Sequence, residues 1–216
     1  GVEISDGDYI AIGSVIPTID HTLALGSGAE SDDAIIDTNA TSNVADITIG
    51  GTVTASGSNL TLSTGNNIAN SDITASGTIS GVTTLTLIDV GGTASFTADV
   101  DVTTLTIGNT VANVSLTGSG SSVTNAVTFG NDGTLTIGDA SDDVFTFDGG
   151  LTVSTASSTL AGSIDSSNDV ISFGAVTLAA ATTLDTNATN TTGDITIGAV
   201  TGNNNNLTLD TTTTTG

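Results

Sequence analysis

Thr134-Leu135-Thr136-Ile137-Gly138 reads as a half-buried β-strand closed by a turn. Leu135 and Ile137 fall on one side of an extended chain and Thr134 and Thr136 on the other. The same two-residue period returns in Asp46-Ile47-Thr48-Ile49-Gly50, Asn59-Leu60-Thr61-Leu62, Thr84-Leu85-Thr86-Leu87, Thr104-Leu105-Thr106-Ile107-Gly108, Asp194-Ile195-Thr196-Ile197 and Leu207-Thr208-Leu209. Val144-Phe145-Thr146-Phe147, Leu151-Thr152-Val153 and Val170-Ile171-Ser172-Phe173 follow it with other apolar residues. Gly, Asn, Asp and Ser separate the runs, and no helical periodicity competes with them, so the chain is expected to be all-β.

Leu residues at corresponding places in these runs fall at 60, 85, 105, 135, 151, 178 and 207, mostly twenty-odd residues apart. Repeats of that length suggest the coils of a parallel β-solenoid, in which no coil buries its apolar face alone and stacking about 4.8 Å apart builds a continuous column of Ile, Val and Leu. At roughly 20–25 residues per coil, residues 35–216 would form about eight coils and a rod about 40 Å long. Outward Thr and Asn would form polar ladders. The alternative is a β-sandwich subunit joined by strand exchange, because a period of two does not distinguish parallel from antiparallel pairing.

Beyond Glu30 the chain uses only Ala, Val, Ile, Leu, Phe, Gly, Ser, Thr, Asn and Asp, and it contains no Lys, Arg, Cys, Met or Trp. That alphabet suffices for strands, turns and hydrogen-bonded ladders but omits most side chains on which catalysis relies. With five Phe and one Tyr, the core has to be built from Leu and β-branched residues in thin repeated layers. The formal charge of −23 has no internal compensation. Nucleic acid and anionic membrane surfaces are excluded as partners, since both require basic residues. Divalent cations are the natural counterions.

No basic segment followed by an apolar one opens the chain and no run of about 18 apolar residues occurs, so it reads as a mature or excised segment without a membrane span. An outer-membrane barrel would need aromatic girdles that this composition lacks. Glu3, Tyr9, Pro17, His21 and Glu30, whose residue types appear nowhere later, lie in the first thirty positions. Residues 1–34 are therefore expected to form a leader, cap or inter-subunit strand, and residues 35–216 the repetitive solenoid domain.

Ile47-Thr48-Ile49-Gly50-Gly51-Thr52-Val53, Gly193-Asp194-Ile195-Thr196-Ile197-Gly198 and Asn206-Leu207-Thr208-Leu209 resemble the repeats of secreted exoproteins of the filamentous-haemagglutinin type. The segment from Gly133 to Ser154 is also similar to repeats of fibrous surface and tail-fibre proteins. The resemblance implies a right-handed parallel β-helix and an extracellular or cell-surface location. The absence of Lys and Arg departs from typical members.

No catalytic residues are assigned, and the chain is not expected to be an enzyme. His21 beside Asp20 is the only partner for a Ser-His-Asp arrangement, and no Gly-x-Ser-x-Gly elbow is present. The paired carboxylates Asp32-Asp33 and Asp142-Asp143 would serve a polysaccharide-cleaving β-helix, but no basic residue exists to hold an anionic sugar. Asp139, Asp142 and Asp143, with Ser141 and nearby carbonyls, offer hard oxygens over one turn and are the expected metal ligands, with Ca²⁺ as the expected ion. Asp6 and Asp8 around Gly7 form a weaker second set. Six Asn-x-Ser/Thr sequons, at Asn39, Asn59, Asn113, Asn187, Asn190 and Asn206, match what the composition yields by chance.

A longer repeat connects the two ends. Asp37-Thr38-Asn39-Ala40-Thr41 returns as Asp185-Thr186-Asn187-Ala188-Thr189, and Asp46-Ile47-Thr48-Ile49-Gly50 as Asp194-Ile195-Thr196-Ile197-Gly198, both displaced by 148 positions, and Asn59-Leu60-Thr61-Leu62 as Asn206-Leu207-Thr208-Leu209, displaced by 147. An open solenoid end pairs with any matching edge unless it is capped. These features point to an extracellular structural protein, a self-assembling subunit of a fibre, sheath or surface layer stacked head to tail. The alternative is an adhesin stalk or tail-fibre-like binding module excised from a longer repetitive protein.

Overall fold

The computed structural model describes residues 33–212 apart from 42–43, 66–67, 155–156 and 190–191, together with the strands Val2–Ile4, Tyr9–Ala11, Thr18–Ile19 and Leu23–Leu25. The fold is an all-β parallel solenoid without helices among the described residues. From Ala34–Asp37 to Ile195–Ile197 the chain makes about seven turns. At about 4.8 Å per coil this is a rod segment roughly 34 Å long. The described pairings are parallel, so the strand-exchanged sandwich does not occur.

Each coil contributes strands to three faces. On the first, Val53–Thr54 pairs with the start of Ile79–Ile88, which pairs with the start of Val100–Ile107. That face continues through Gly120–Val123, Val144–Phe147, the ends of Ser157–Asp165 and Val176–Asp185, and Leu207–Asp210. The second face runs from Tyr9–Ala11 through Ala34–Asp37 and Leu60–Ser63 to the ends of Ile79–Ile88 and Val100–Ile107. It resumes as a separate four-stranded sheet of Val127–Phe129, Leu151–Val153, Ile171–Phe173 and Ile195–Ile197. The third face stacks Thr18–Ile19, Ile47–Ile49, Ile73–Ala75, Thr93–Phe96, Asn113–Leu116 and Thr134–Ile137, then the starts of Ser157–Asp165 and Val176–Asp185, and Val200–Thr201.

This arrangement corrects the Leu alignment. Leu60, Leu85 and Leu105 do share one column on the second face. Leu135 and Leu178 instead belong to the third face and Leu207 to the first. All three faces use the same apolar-Thr-apolar pattern, so Leu residues of different faces look equivalent in sequence. Strands whose inward positions are small also escaped the reading: Gly120–Val123 turns Ser121 inward, and Ser157–Asp165 turns Ser158 inward.

Inside, each coil's apolar residues rest on those of the next. The third face stacks Ile47, Ile73, Ala94, Val114 and Leu135, each essentially inaccessible to solvent. Size varies between neighbours: Ala75 lies below Phe96, and Ser121 below Phe145, so a ring is accommodated beside a small residue. All five Phe are buried, and Phe129 and Phe147 meet edge to face with centroids 6.3 Å apart.

Two devices set the coil's corners and spacing. Asp37 Oδ1 accepts the Asn39 N–H at 2.7 Å and Asp185 Oδ1 the Asn187 N–H at 2.8 Å, with both Asn residues left-handed at φ 50° and 46°. Elsewhere a strand bends through a left-handed glycine: Gly81 (φ 70°) packs against the Ala55 carbonyl and Gly162 (φ 77°) against the Asp143 carbonyl, where a Cβ would overlap the oxygen. Between coils, Asp46 Oδ1 accepts the Asp72 N–H at 2.9 Å, Asp72 Oδ1 the Thr93 N–H at 2.6 Å, and Asn113 Oδ1 the Thr134 N–H at 2.9 Å. In each bond the earlier coil supplies the acceptor, so the stack has a direction.

Residues 1–34, expected as a leader or cap, place their described strands in these same ladders. Val2–Ile4 pairs with Leu23–Leu25, which pairs with Val53–Thr54.

Candidate functional site

The turn expected to bind metal is organised around Asp143, which is 5% exposed. Its Oδ2 accepts the backbone N–H groups of Asp139 and Ala140 at 2.9 and 3.0 Å, closing the turn as a side-chain cap. Asp139 and Asp142 are exposed. One carboxylate is thus committed to backbone amides while two face solvent. Among the described residues no three acidic or imidazole side chains gather as a metal-holding group. Asp6, Asp8, Asp20, His21 and Asp32 lie outside the described residues.

The first face carries the perturbed carboxylates. Burial pushes the Asp165 carboxyl above the ordinary Asp value; the Ser163 hydroxyl, donating at 2.7 Å, opposes this, and the like charge of Asp185 adds to it. Asp165, Asp185 and Asp210 are successive rungs of one ladder. Asp101 is raised by burial and then by Asp99, against a hydrogen bond from the Ser122 amide. It borders a shallow groove of about 270 Å³ that opens where the register shifts between Ser80 and Val82. Gly81, Val82, Val102, Thr103, Ser122 and Thr124 complete that lining.

The most distinctive surface is the last described coil. The 148-residue repeat gives an internal comparison, because the two copies have nearly the same sequence and different neighbours. Ile47 and Ile49 are fully buried under Ile73 and Ala75, whereas Ile195 and Ile197 are only half-buried. Val53 is 0% exposed under Ile79, and its counterpart Val200 is 43% exposed. Leu62 is 0% exposed under Leu87, and its counterpart Leu209 is 50% exposed. Asp46 receives the amide of the coil above it, while Asp194, the equivalent residue, has no described coil above it. The last coil thus presents the apolar residues and the acceptor that elsewhere in this chain carry another coil.

The two copies also occupy different faces. Ile47–Ile49 lies on the third face and Ile195–Ile197 on the second; Leu60–Ser63 lies on the second and Leu207–Asp210 on the first. A displacement of 148 residues is therefore not a whole number of turns, and one strand-and-corner module serves on more than one face. Sequence similarity between the ends was legible; the rotation required the pairing pattern.

No protein-family model matches this chain, and no curated protein and no solved structure is found to be similar to it. The β-solenoid stands on the structure itself, and the likeness to filamentous-haemagglutinin repeats stays a resemblance of composition and motif.

Proposed function

We propose that this chain is an extracellular structural protein whose solenoids, coiled in the right-handed sense favoured by parallel crossovers, stack head to tail into a fibre, sheath or surface layer. The observation that carries this reading is the last coil: its sequence copies one that bears a further coil elsewhere in the molecule, and its Val200 and Leu209 are left exposed. A parallel edge with unpaired amides and carbonyls on an apolar base is completed by another such edge. The interchange of one module between faces fits a load-bearing rod better than a surface in which one face is specialised for recognition. With no Lys or Arg, the chain offers trypsin-like proteases no cleavage site, which suits an exposed location. Divalent cations are the proposed counterions, with Ca²⁺ foremost and the turn at Asp139, Asp142 and Asp143 as one place of contact.

A second reading is favoured by the 148-residue repeat. The chain would then be a stalk segment of a longer repetitive adhesin or tail-fibre-like protein, with its last coil covered by more of the same polypeptide. Sedimentation velocity and electron microscopy of the 216-residue chain separate the two. Filaments that dissociate in Leu209→Asp support the subunit; a monomer at all concentrations, with the variant unchanged, supports the stalk.

A further inference from the structure

The third face carries an unbroken central row of hydroxyls. Thr48, Thr74, Ser95, Ser115, Thr136, Thr159, Thr177 and Thr201 occupy successive rungs in direct register. All are half-buried or exposed, while the residues on either side of them, such as Leu135 and Ile137, point into the core. Flanking positions widen the row into an array: Thr93, Asn113, Thr134 and Ser157 form a parallel row on one side, with Thr97 and Thr117 on the other. Rows repeat about 4.8 Å apart along the rod, and hydroxyls two residues apart in a strand lie roughly 6.6 Å apart. Among the described residues, no hydrogen bond within the protein uses a hydroxyl of the central row.

Outward Thr is common in strands, so β-propensity alone accounts for individual residues. It does not account for the separation of charge. The carboxylates gather on the first face, which places Asp101, Asp165, Asp185 and Asp210 outward; from Thr93 to Thr201 the third face has none at an outward strand position, nor has the second from Leu60 to Ile197, and Asp46 and Asp72 flank the third face's earlier rungs. A fibre selected only for solubility would distribute its carboxylates over all faces.

We infer that the third face binds ice. A neutral array of hydroxyls, of which the Thr members each carry a γ-methyl while Ser95 and Ser115 carry none, holds water at fixed points while the methyl groups keep that water from relaxing into bulk order. Ice presents oxygen rows whose shorter repeat lies close to the rung spacing of the array. Threonine is suited to this because its branched Cβ restricts χ1, so the hydroxyls are positioned before binding. Crystalline polysaccharide is the less suitable solid: sugar rings are held by aromatic platforms, and all five Phe are buried. The ligand is thus the solid surface of water.

The test is thermal hysteresis and crystal shaping by the purified 216-residue chain, with partition into a slowly grown ice hemisphere as a second readout. The expected result is faceted crystals, a measurable hysteresis gap, and enrichment in the ice fraction. Thr136→Lys and Thr159→Lys should each reduce the gap severalfold with unchanged circular dichroism, and Thr136→Val should reduce it less because the methyl remains. Thr146→Lys on the first face should leave it intact. Absence of hysteresis and enrichment in the parent chain would overturn the inference. So would loss of activity in Thr146→Lys, or in Thr152→Lys on the second face, while the third-face variants retain it.

Discussion

Leu62 and Leu209 occupy the same place in the two copies of the long repeat, and the structure assigns them very different energetic weights. Leu62 lies between Ile36 and Leu87 with 0% exposure, whereas Leu209 covers Leu184 alone and is 50% exposed. Leu62→Ala removes three buried carbons, about 2.4 kcal/mol at ~0.8 kcal/mol per methylene. The gap it leaves is flanked by coils on both sides and collapses poorly, which brings the cost to about 3–4 kcal/mol. Leu209→Ala removes the same atoms from a half-exposed site with no enclosed cavity, costing about 1 kcal/mol. For a chain of this length the difference corresponds to a separation of roughly 4–12 °C in Tm. Thermal melts followed by circular dichroism at concentrations where the chain is monomeric measure it. Equal shifts for both variants would refute the reasoning, because they would mean that Leu209 is already covered in the isolated chain. In assembled fibres the gap should narrow as the neighbouring coil completes the burial of Leu209.

Further outcomes follow from other named sites. Gly162→Ala places a Cβ against the Asp143 carbonyl at a left-handed residue, so it should destabilise by more than ~1 kcal/mol, where a tolerated Gly→Ala change would stabilise; a melt indistinguishable from the parent would mean that the corner relaxes. Because burial raises the folded-state values of Asp101 and Asp165 above those of the unfolded chain, the folded state binds more protons between the ordinary Asp value and the raised one. Stability should therefore rise as pH falls from neutral through the raised values, level off below the ordinary Asp value, and depend less on pH in Asp165→Asn; a parent curve that falls throughout would contradict this. Continuing the first-face register into a second subunit brings its Glu3 into line with Asp210, Asp185 and Asp165, so Ca²⁺ should promote assembly and EDTA should reverse it. Identical filament yields under both conditions would remove the cation dependence.

Much of the fold was legible because alternation is a local property. Ile47–Ile49, Leu60–Ser63, Thr134–Ile137 and Val144–Phe147 were each readable from their own residues. The number of faces was not, because pairing joins residues some twenty positions apart and Leu60, Leu135 and Leu207 carry no mark of their face. Asp143 shows the limit for sites: its acidic neighbours suggested a cation, and the fold turned its carboxylate toward backbone amides. That outward Thr would form polar ladders was legible in the sequence, but which residues share a row was not. The continuity of the hydroxyl array depends on the register that aligns Ser95 and Ser115 with Thr74 and Thr136, which no local pattern contains.

Head-to-tail stacking is tested most directly by directed disulfide formation, since the chain has no cysteine of its own. Val2 is in register with Leu23 at one end of the first face and Leu209 stands at the other, so stacking places Val2 of one subunit over Leu209 of the next at parallel-strand distance, within reach of a disulfide. Val2→Cys and Leu209→Cys, mixed in equal amounts, assembled and then oxidised, should give a covalent dimer containing one of each variant, while either alone stays monomeric on a non-reducing gel. Absence of the mixed dimer, or dimers of Leu209→Cys with itself, would contradict head-to-tail stacking.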